Sequence, residues 1–141
     1  MIKDKLLPRL AENFPKESFR VGEKPDPIAI FIAKYQSVGD LSIWDDGGEV
    51  TVSIGDISHG HFSSFDSDLT QSEMELEVAE QVVDFLKMMF ADKYLLYKSN
   101  GSGGWRHLDY IEKPFVFQEN TEYFVWSGIF NVSSLTTLNS C

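Results

Sequence analysis

The sequence predicts an α+β domain. An antiparallel sheet of about five to seven strands packs against one long helix, residues 70–92, and a short N-terminal helix. Eleven Phe, five Tyr and three Trp in 141 residues favour strands, because large aromatic side chains suit a sheet surface. Short apolar runs separated by turns point the same way, whereas residues 70–92 alone show a long helical spacing. We expect one domain spanning residues 1–141, since this length suits a single core.

The first elements are a helix and two strands. Residues 2–14 are predicted to be helical, because leucines 6, 7 and 10 lie on one side; Pro8 marks a break or an early start. Residues 18–21 are predicted to form a strand. Residues 28–35 are apolar on both faces, which predicts a strand that is covered on both sides or a central strand.

The next two strands form a hairpin. Residues 41–45 and 49–56 are joined by Asp45-Asp-Gly-Gly48, in which glycine supplies the positive φ that such turns require. In the second strand Val50, Val52 and Ile54 alternate with Thr51 and Ser53, so we expect one buried face and one exposed face.

The helix over residues 70–92 is predicted to begin at a capping box, Thr70-Gln-Ser-Glu73. It carries the widest apolar stripe of the chain, and the second hairpin strand carries the cleanest apolar face. We therefore expect these two surfaces to pack together, through Val82, Phe85, Leu86 and Met89 on the helix and Val50, Val52 and Ile54 on the strand.

Further strands are predicted at residues 94–98, 105–110 and 122–130, with residues 100–104 as a hairpin connection. The small, polar tail of residues 133–141 is expected to fray. Phe124, Trp126 and Phe130 are predicted to lie on one face of the last strand. A homo-oligomer that uses this aromatic face as its contact is one hypothesis.

The compartment is expected to be the cytoplasm. Cys141 is the only cysteine, so an intramolecular disulfide cannot form. The N-terminal residues lack the apolar segment of a secretory signal, and no run of about 18 apolar residues occurs. We therefore expect no membrane association.

The net charge of −10 is concentrated in the middle of the chain. Residues 39–92 contain thirteen Asp and Glu against the single Lys87, whereas residues 1–24 carry a net charge of +2. A field of this sign repels nucleic acid and anionic lipid, and attracts cations or a basic protein. Nucleic-acid binding is therefore not expected.

Four acidic residues of the long helix share one face, at steps of four, three and four: Glu73, Glu77, Glu80 and Asp84. A solvated helix face is the simpler interpretation, but few lysines accompany these acids. We predict that the face docks a basic protein partner. In size, acidity and α+β pattern the chain resembles small bacterial cytosolic proteins, including immunity proteins that neutralise toxins. That likeness implies a non-enzymatic binding role, immunity-like or regulatory.

The alternative function is metal binding or metal-dependent catalysis. His59 and His61 would point to one face if their segment is extended, and Asp56 or His107 could complete a zinc site. Ordinary hydrogen bonding of these histidines is the simpler interpretation, so no cofactor is expected. The acidic turns at residues 45–49 and 66–68 lack the spacing of a calcium loop and are expected to be solvated.

Overall fold

A computed structural model describes residues 1–130 and confirms the α+β class. The helices are α1 (Ile2–Asn13) and α2 (Gln71–Phe90). One sheet contains β1 (Phe19–Val21), β2 (Ala29–Phe31), β3 (Leu41–Asp45), β4 (Val50–Ile54) and β5 (Ser58–Phe62). The other contains β6 (Tyr94–Ser99), β7 (Ser102–His107), β8 (Thr121–Val125) and β9 (Gly128–Ile129), with a 3-10 turn at Leu108–Tyr110. Within residues 1–130 no helix is long and apolar enough to cross a membrane. The predicted tail, residues 133–141, lies outside the described residues.

The strands divide between two antiparallel sheets, whereas the sequence predicted one. The first sheet is a five-stranded meander in chain order, and the second has the order β7–β6–β8–β9. The sequence did not predict β5 as a strand in its own right, because Ser58-His-Gly-His61 has no apolar alternation. Pairing with the strongly alternating β4 fixes it, with Gly60 opposite Val52.

Helix α1 continues through Pro8 without the expected break. Pro8 lacks the N–H that would bond to the preceding turn. Leu6 and Leu10 flank it and are fully buried, so core packing holds the helix together. Helix α1 runs in the same direction as α2, because Arg9 pairs with Glu80 midway along α2, and Phe14 contacts Phe90 at its end.

Strand β2 is shorter than predicted and is covered on one face only. Ala29 and Phe31 are buried against the core. On the opposite side Ile30 is half-buried, and Ile32, just beyond the strand, is 44% exposed. Among residues 1–130 the cover is on one side, because both helices pack where the buried residues lie. Strand β2 is an inner strand, between β1 and β3, which fits the alternative prediction of a central strand.

The end strand of the first sheet is β1, which has three residues. Arg20 is exposed on it, and so is Val21. Among residues 1–130 β1 pairs with β2 only, so its outer edge has no strand partner.

The predicted hairpin and helix start are both confirmed. Gly47 and Gly48 have φ values of 76° and 96°, and the Asp46 N–H donates to the Glu49 carbonyl at 2.8 Å. At α2 the Glu73 N–H donates to the Thr70 hydroxyl at 3.1 Å. The Thr70 N–H in turn donates to the Glu73 carboxylate at 3.0 Å. These interactions are local in sequence, which is why a short motif predicts them.

The predicted core is confirmed, and Phe85 has a special place in it. The α2 stripe and the β4 face are buried in one hydrophobic cluster. The Phe85 ring lies 5.3 Å from Phe62 of β5, 5.1 Å from Tyr94 of β6 and 5.3 Å from Trp105 of β7. Phe85 therefore joins the two sheets, a role that the pattern of α2 alone does not reveal.

The aromatic face of the last strands is not available for a contact between copies. Trp126 is fully buried, 5.2 Å from the Phe90 ring, and Phe124 and Phe130 are also buried. The dimer contact proposed from the sequence is therefore wrong at these residues. Trp126 packs against α2. Phe130 instead lies opposite Tyr123 and contacts Phe115, so it is on the other face of the sheet from Phe124, and the prediction of one shared face is wrong.

Candidate functional site

The acidic face of α2 is partly engaged within the fold. Glu80 is paired with Arg9, whose Nε lies 2.8 Å from the Glu80 carboxylate. Glu77 is half-buried and accepts a weak hydrogen bond from the Gln81 amide at 3.4 Å. The charge of Glu80 is thus neutralised by α1, which lies alongside α2.

The two ends of this face differ. Asp84 is exposed and makes no hydrogen bond or ion pair within residues 1–130. Glu73 is exposed and part of the capping box, and the hydrogen bond from the Thr70 N–H lowers the pKa of its carboxyl below the ordinary value. Glu73 therefore stays ionised, with its side chain held at the start of α2.

The mid-chain acids greatly outnumber the cations available to them. Four of the thirteen are paired with a cationic group: Asp45 with Lys24, Asp56 with Lys98, Glu75 with the Met1 amine, and Glu80 with Arg9. Within residues 1–130 the other nine have no Lys or Arg partner. The excess negative charge seen in the sequence is therefore not cancelled by pairing in the described fold.

Five of these nine acids belong to segments that meet at one end of the molecule, which we call the acidic end: Asp46, Glu49, Asp66, Asp68 and Glu73. The β3–β4 turn meets the start of α2 here, since a Cβ on Gly48 would lie 3.9 Å from the Gln71 amide nitrogen. Strand β5 ends here too, with Phe62 opposite Val50. Three separate segments thus bring their acids together.

Short hydrogen-bonded motifs hold the acidic end in shape. The Asp66 carboxylate accepts from the Asp68 N–H at 3.0 Å. The Thr51 hydroxyl donates to the Asp46 carboxylate and lies 2.9 Å from His61 Nδ1. His61 Nδ1 also lies 3.5 Å from the Glu49 carboxylate. The carboxylates therefore sit on ordered turns.

His59 and His61 lie side by side on the exposed face of β5, as their spacing predicts for a strand. Their ring centroids are 5.3 Å apart. His61 contacts Thr51 and Glu49, so hydrogen bonding accounts for its orientation.

The other two predicted metal ligands have partners of their own. His107 is at the end of β7, where its Nδ1 accepts from the Asp109 N–H at 3.1 Å and its ring packs on Tyr94. The Asp56 carboxylate is 2.9 Å from Lys98 Nζ. Within residues 1–130 no three or more His, Cys, Asp or Glu side chains are arranged to hold a metal ion.

The Asp56–Lys98 pair connects the two sheets. Asp56 lies in the β4–β5 turn and Lys98 on β6, beside a cleft of about 510 Å³ that His59 also lines. The hydrogen bond from the Lys98 ammonium lowers the pKa of the Asp56 carboxyl below its usual range. The pair fixes the turn of one sheet against the hairpin of the other.

The chain matches no protein-family model, and it has no significant similarity to a curated protein or to a solved structure. Its function must therefore be inferred from the surfaces and cavities of the fold itself.

Sequence reasoning found the acidic turns but not their convergence. Residues 45–49 and 66–68 were expected to be ordinary solvated turns, and no sequence signal relates them to Glu73. Their proximity depends on the pairing of β5 with β4, which carries the chain back to the hairpin tip before α2 begins.

Proposed function

We propose that the chain is a non-enzymatic binding protein that docks a basic protein partner at the acidic end, in the manner of an immunity protein or a regulator. The observation that supports this proposal is the convergence of five carboxylates from three segments. None of them is paired with a Lys or Arg of residues 1–130. Such a surface steers a partner of opposite charge and raises its association rate.

The lowered pKa of Glu73 favours binding over acid–base catalysis at this residue. A catalytic carboxyl needs a pKa raised towards neutrality, usually by burial. Glu73 shows the opposite, since its hydrogen bond from Thr70 lowers its pKa, and its side chain is exposed. An exposed carboxylate that stays charged to a lower pH than usual suits long-range attraction.

The proposal modifies the prediction made for the α2 face. Glu73 belongs to both surfaces, whereas Glu80 is neutralised by Arg9 and Glu77 is half-buried. Asp84 is exposed and can extend the negative field along the helix. We therefore expect the main energetic contribution from the acidic end.

The test compares two variants with the same net charge. The first removes three charges from the acidic end through Asp46→Asn, Glu49→Gln and Asp68→Asn. The control removes three exposed charges elsewhere through Glu12→Gln, Glu119→Gln and Glu122→Gln. The amides keep the shape and the hydrogen-bond acceptors, so both proteins should fold.

Each immobilised protein is exposed to lysate at low salt, and a bound basic protein is then purified for association kinetics. We expect the wild-type protein and the control to bind it alike. The acidic-end variant should associate about tenfold more slowly, with a flatter salt dependence. Equal rates for the two variants, or a wild-type protein that retains no basic partner, would overturn the proposal.

A further inference from the structure

A cavity of about 470 Å³ lies on the four-stranded sheet, beneath the segment of residues 111–118. It opens on the face opposite to that of Leu96 and Phe124, which pack in the core. This volume falls within the range of small-molecule sites, about 300–1,000 Å³. The cavity is distant in sequence from every acid of the acidic end.

Two tyrosines form the floor of the cavity. Tyr97 of β6 and Tyr123 of β8 are directly paired across the two strands. The phenol of Tyr97 extends over β7 at Gly104, where a Cβ would come within 2.5 Å of the hydroxyl oxygen. Gly104 therefore makes room for the Tyr97 ring, which any larger residue would displace.

A third aromatic ring and a tethered segment form the wall. The Phe115 ring stands edge-on to Tyr123, with centroids 5.3 Å apart and an interplanar angle of 86°. The Gln118 N–H donates to the Tyr123 hydroxyl at 3.0 Å, which ties the segment to the sheet. Three aromatic rings thus line the cavity, and such rings suit contact with another planar ring.

Two opposite charges lie at the same cavity, and neither is neutralised within residues 1–130. Arg106 and Glu112 both line it and are both exposed. They form no ion pair with each other or with another described group. A guanidinium binds a carboxylate through two parallel hydrogen bonds, and a carboxylate accepts hydrogen bonds from an ammonium group.

We propose that this cavity binds a free aromatic α-amino acid, a role separate from partner docking at the acidic end. The aromatic ring of the ligand lies among Tyr97, Tyr123 and Phe115. Its carboxylate pairs with Arg106 and its ammonium group with Glu112. This ligand class complements all three features of the cavity, whereas an aromatic acid or an aromatic amine would leave one charge unpaired.

The test uses calorimetric titration with L-phenylalanine, L-tyrosine and L-tryptophan. N-acetyl-L-phenylalanine lacks the ammonium group, L-phenylalanine amide lacks the carboxylate, and L-alanine lacks the ring. We expect at least one of the three aromatic amino acids to bind. Its affinity should exceed that of each probe that lacks one group by about tenfold or more. A missing charge leaves Arg106 or Glu112 without its partner, and a missing ring removes the contact with the aromatic lining.

Two variants assign the charges to the ligand. Arg106→Gln should weaken binding of the amino acid about tenfold but leave the amide unaffected. Glu112→Gln should weaken the amino acid but leave the N-acetyl compound unaffected. Both side chains are exposed, so both proteins should fold, and Arg20→Gln and Glu12→Gln are matched controls on other elements.

Amide chemical-shift mapping locates the site. Perturbations confined to β6, β8, the part of β7 around Arg106 and residues 111–118 support the proposal. Absence of binding at millimolar concentration overturns it, and so does equal binding of the probes that lack one group. Perturbations centred on the other cleft, near Asp56 and Lys98, also contradict it.

Discussion

Replacement of Phe85 by alanine is expected to destabilise the protein more than most single substitutions, because this side chain holds α2 against both sheets. Phe85 is 8% exposed, and its ring contacts Phe62, Tyr94 and Trp105. Loss of the buried area costs about 1.5–3 kcal/mol. The cavity left between the two sheets raises the expected loss to about 3–5 kcal/mol.

Phe65→Ala is the matched control, since it removes the same atoms from a side chain that is 92% exposed. Its free energy of unfolding should change by less than about 0.5 kcal/mol. Urea denaturation followed by tryptophan fluorescence measures both variants, and Trp105 reports directly on the environment of Phe85. A loss below about 1 kcal/mol for Phe85→Ala, or equal losses for the two variants, would refute the bridging role.

Two further predictions concern the junction of the sheets. Gly103→Ala should strongly lower the midpoint of thermal unfolding, because the added Cβ would lie 2.1 Å from the Ile57 carbonyl oxygen. Gly128→Ala is the control and should be nearly neutral, since a Cβ there has no neighbour within 4 Å. Equal midpoints for the two variants would contradict the close approach of Gly103 to Ile57. The Asp56 carboxyl should titrate by NMR below its usual range, and Lys98→Met should return it there. Because folding lowers the pKa of Asp56, the ion pair stabilises the protein at pH values above the ordinary Asp pKa of about 3.9. This stabilisation is lost as the pH falls through the pKa of Asp56 in the folded protein. An unshifted Asp56 titration in the wild-type protein would argue against the pair.

Local features of this fold could be predicted because neighbouring residues determine them. The Thr70 capping box and the Gly47-Gly48 turn are complete within a few residues, and the structure contains both. The spacing of apolar residues likewise identified the buried faces of α2 and β4.

The division into two sheets depends on contacts that the sequence pattern does not encode. Strand β5 is specified by β4 rather than by its own polar residues, and only three residues of the 28–35 run form a strand. Continuation of α1 through Pro8 reflects burial of Leu6 and Leu10. Tertiary packing decided each of these outcomes against local propensity.

The candidate surfaces were harder to predict than the core. Glu80 belongs to a regular acidic stripe, yet Arg9 from a distant segment neutralises it. Arg106 and Glu112 belong to no motif, and only the folded sheet brings them to one cavity. Long-range pairing therefore decides which charges remain available for a ligand or partner.

The three-residue strand β1 affects how the protein behaves at high concentration. An unpaired sheet edge can pair with the edge of another molecule and start aggregation. A strand of three residues offers few backbone groups for such pairing, and the exposed charge of Arg20 opposes the approach of a second edge. Mutual repulsion at a net charge of −10 adds to this protection. That repulsion disappears near the isoelectric point of about 4.6. At this pH the short edge and Arg20 still oppose association, but the net charge does not, so precipitation should be most rapid there.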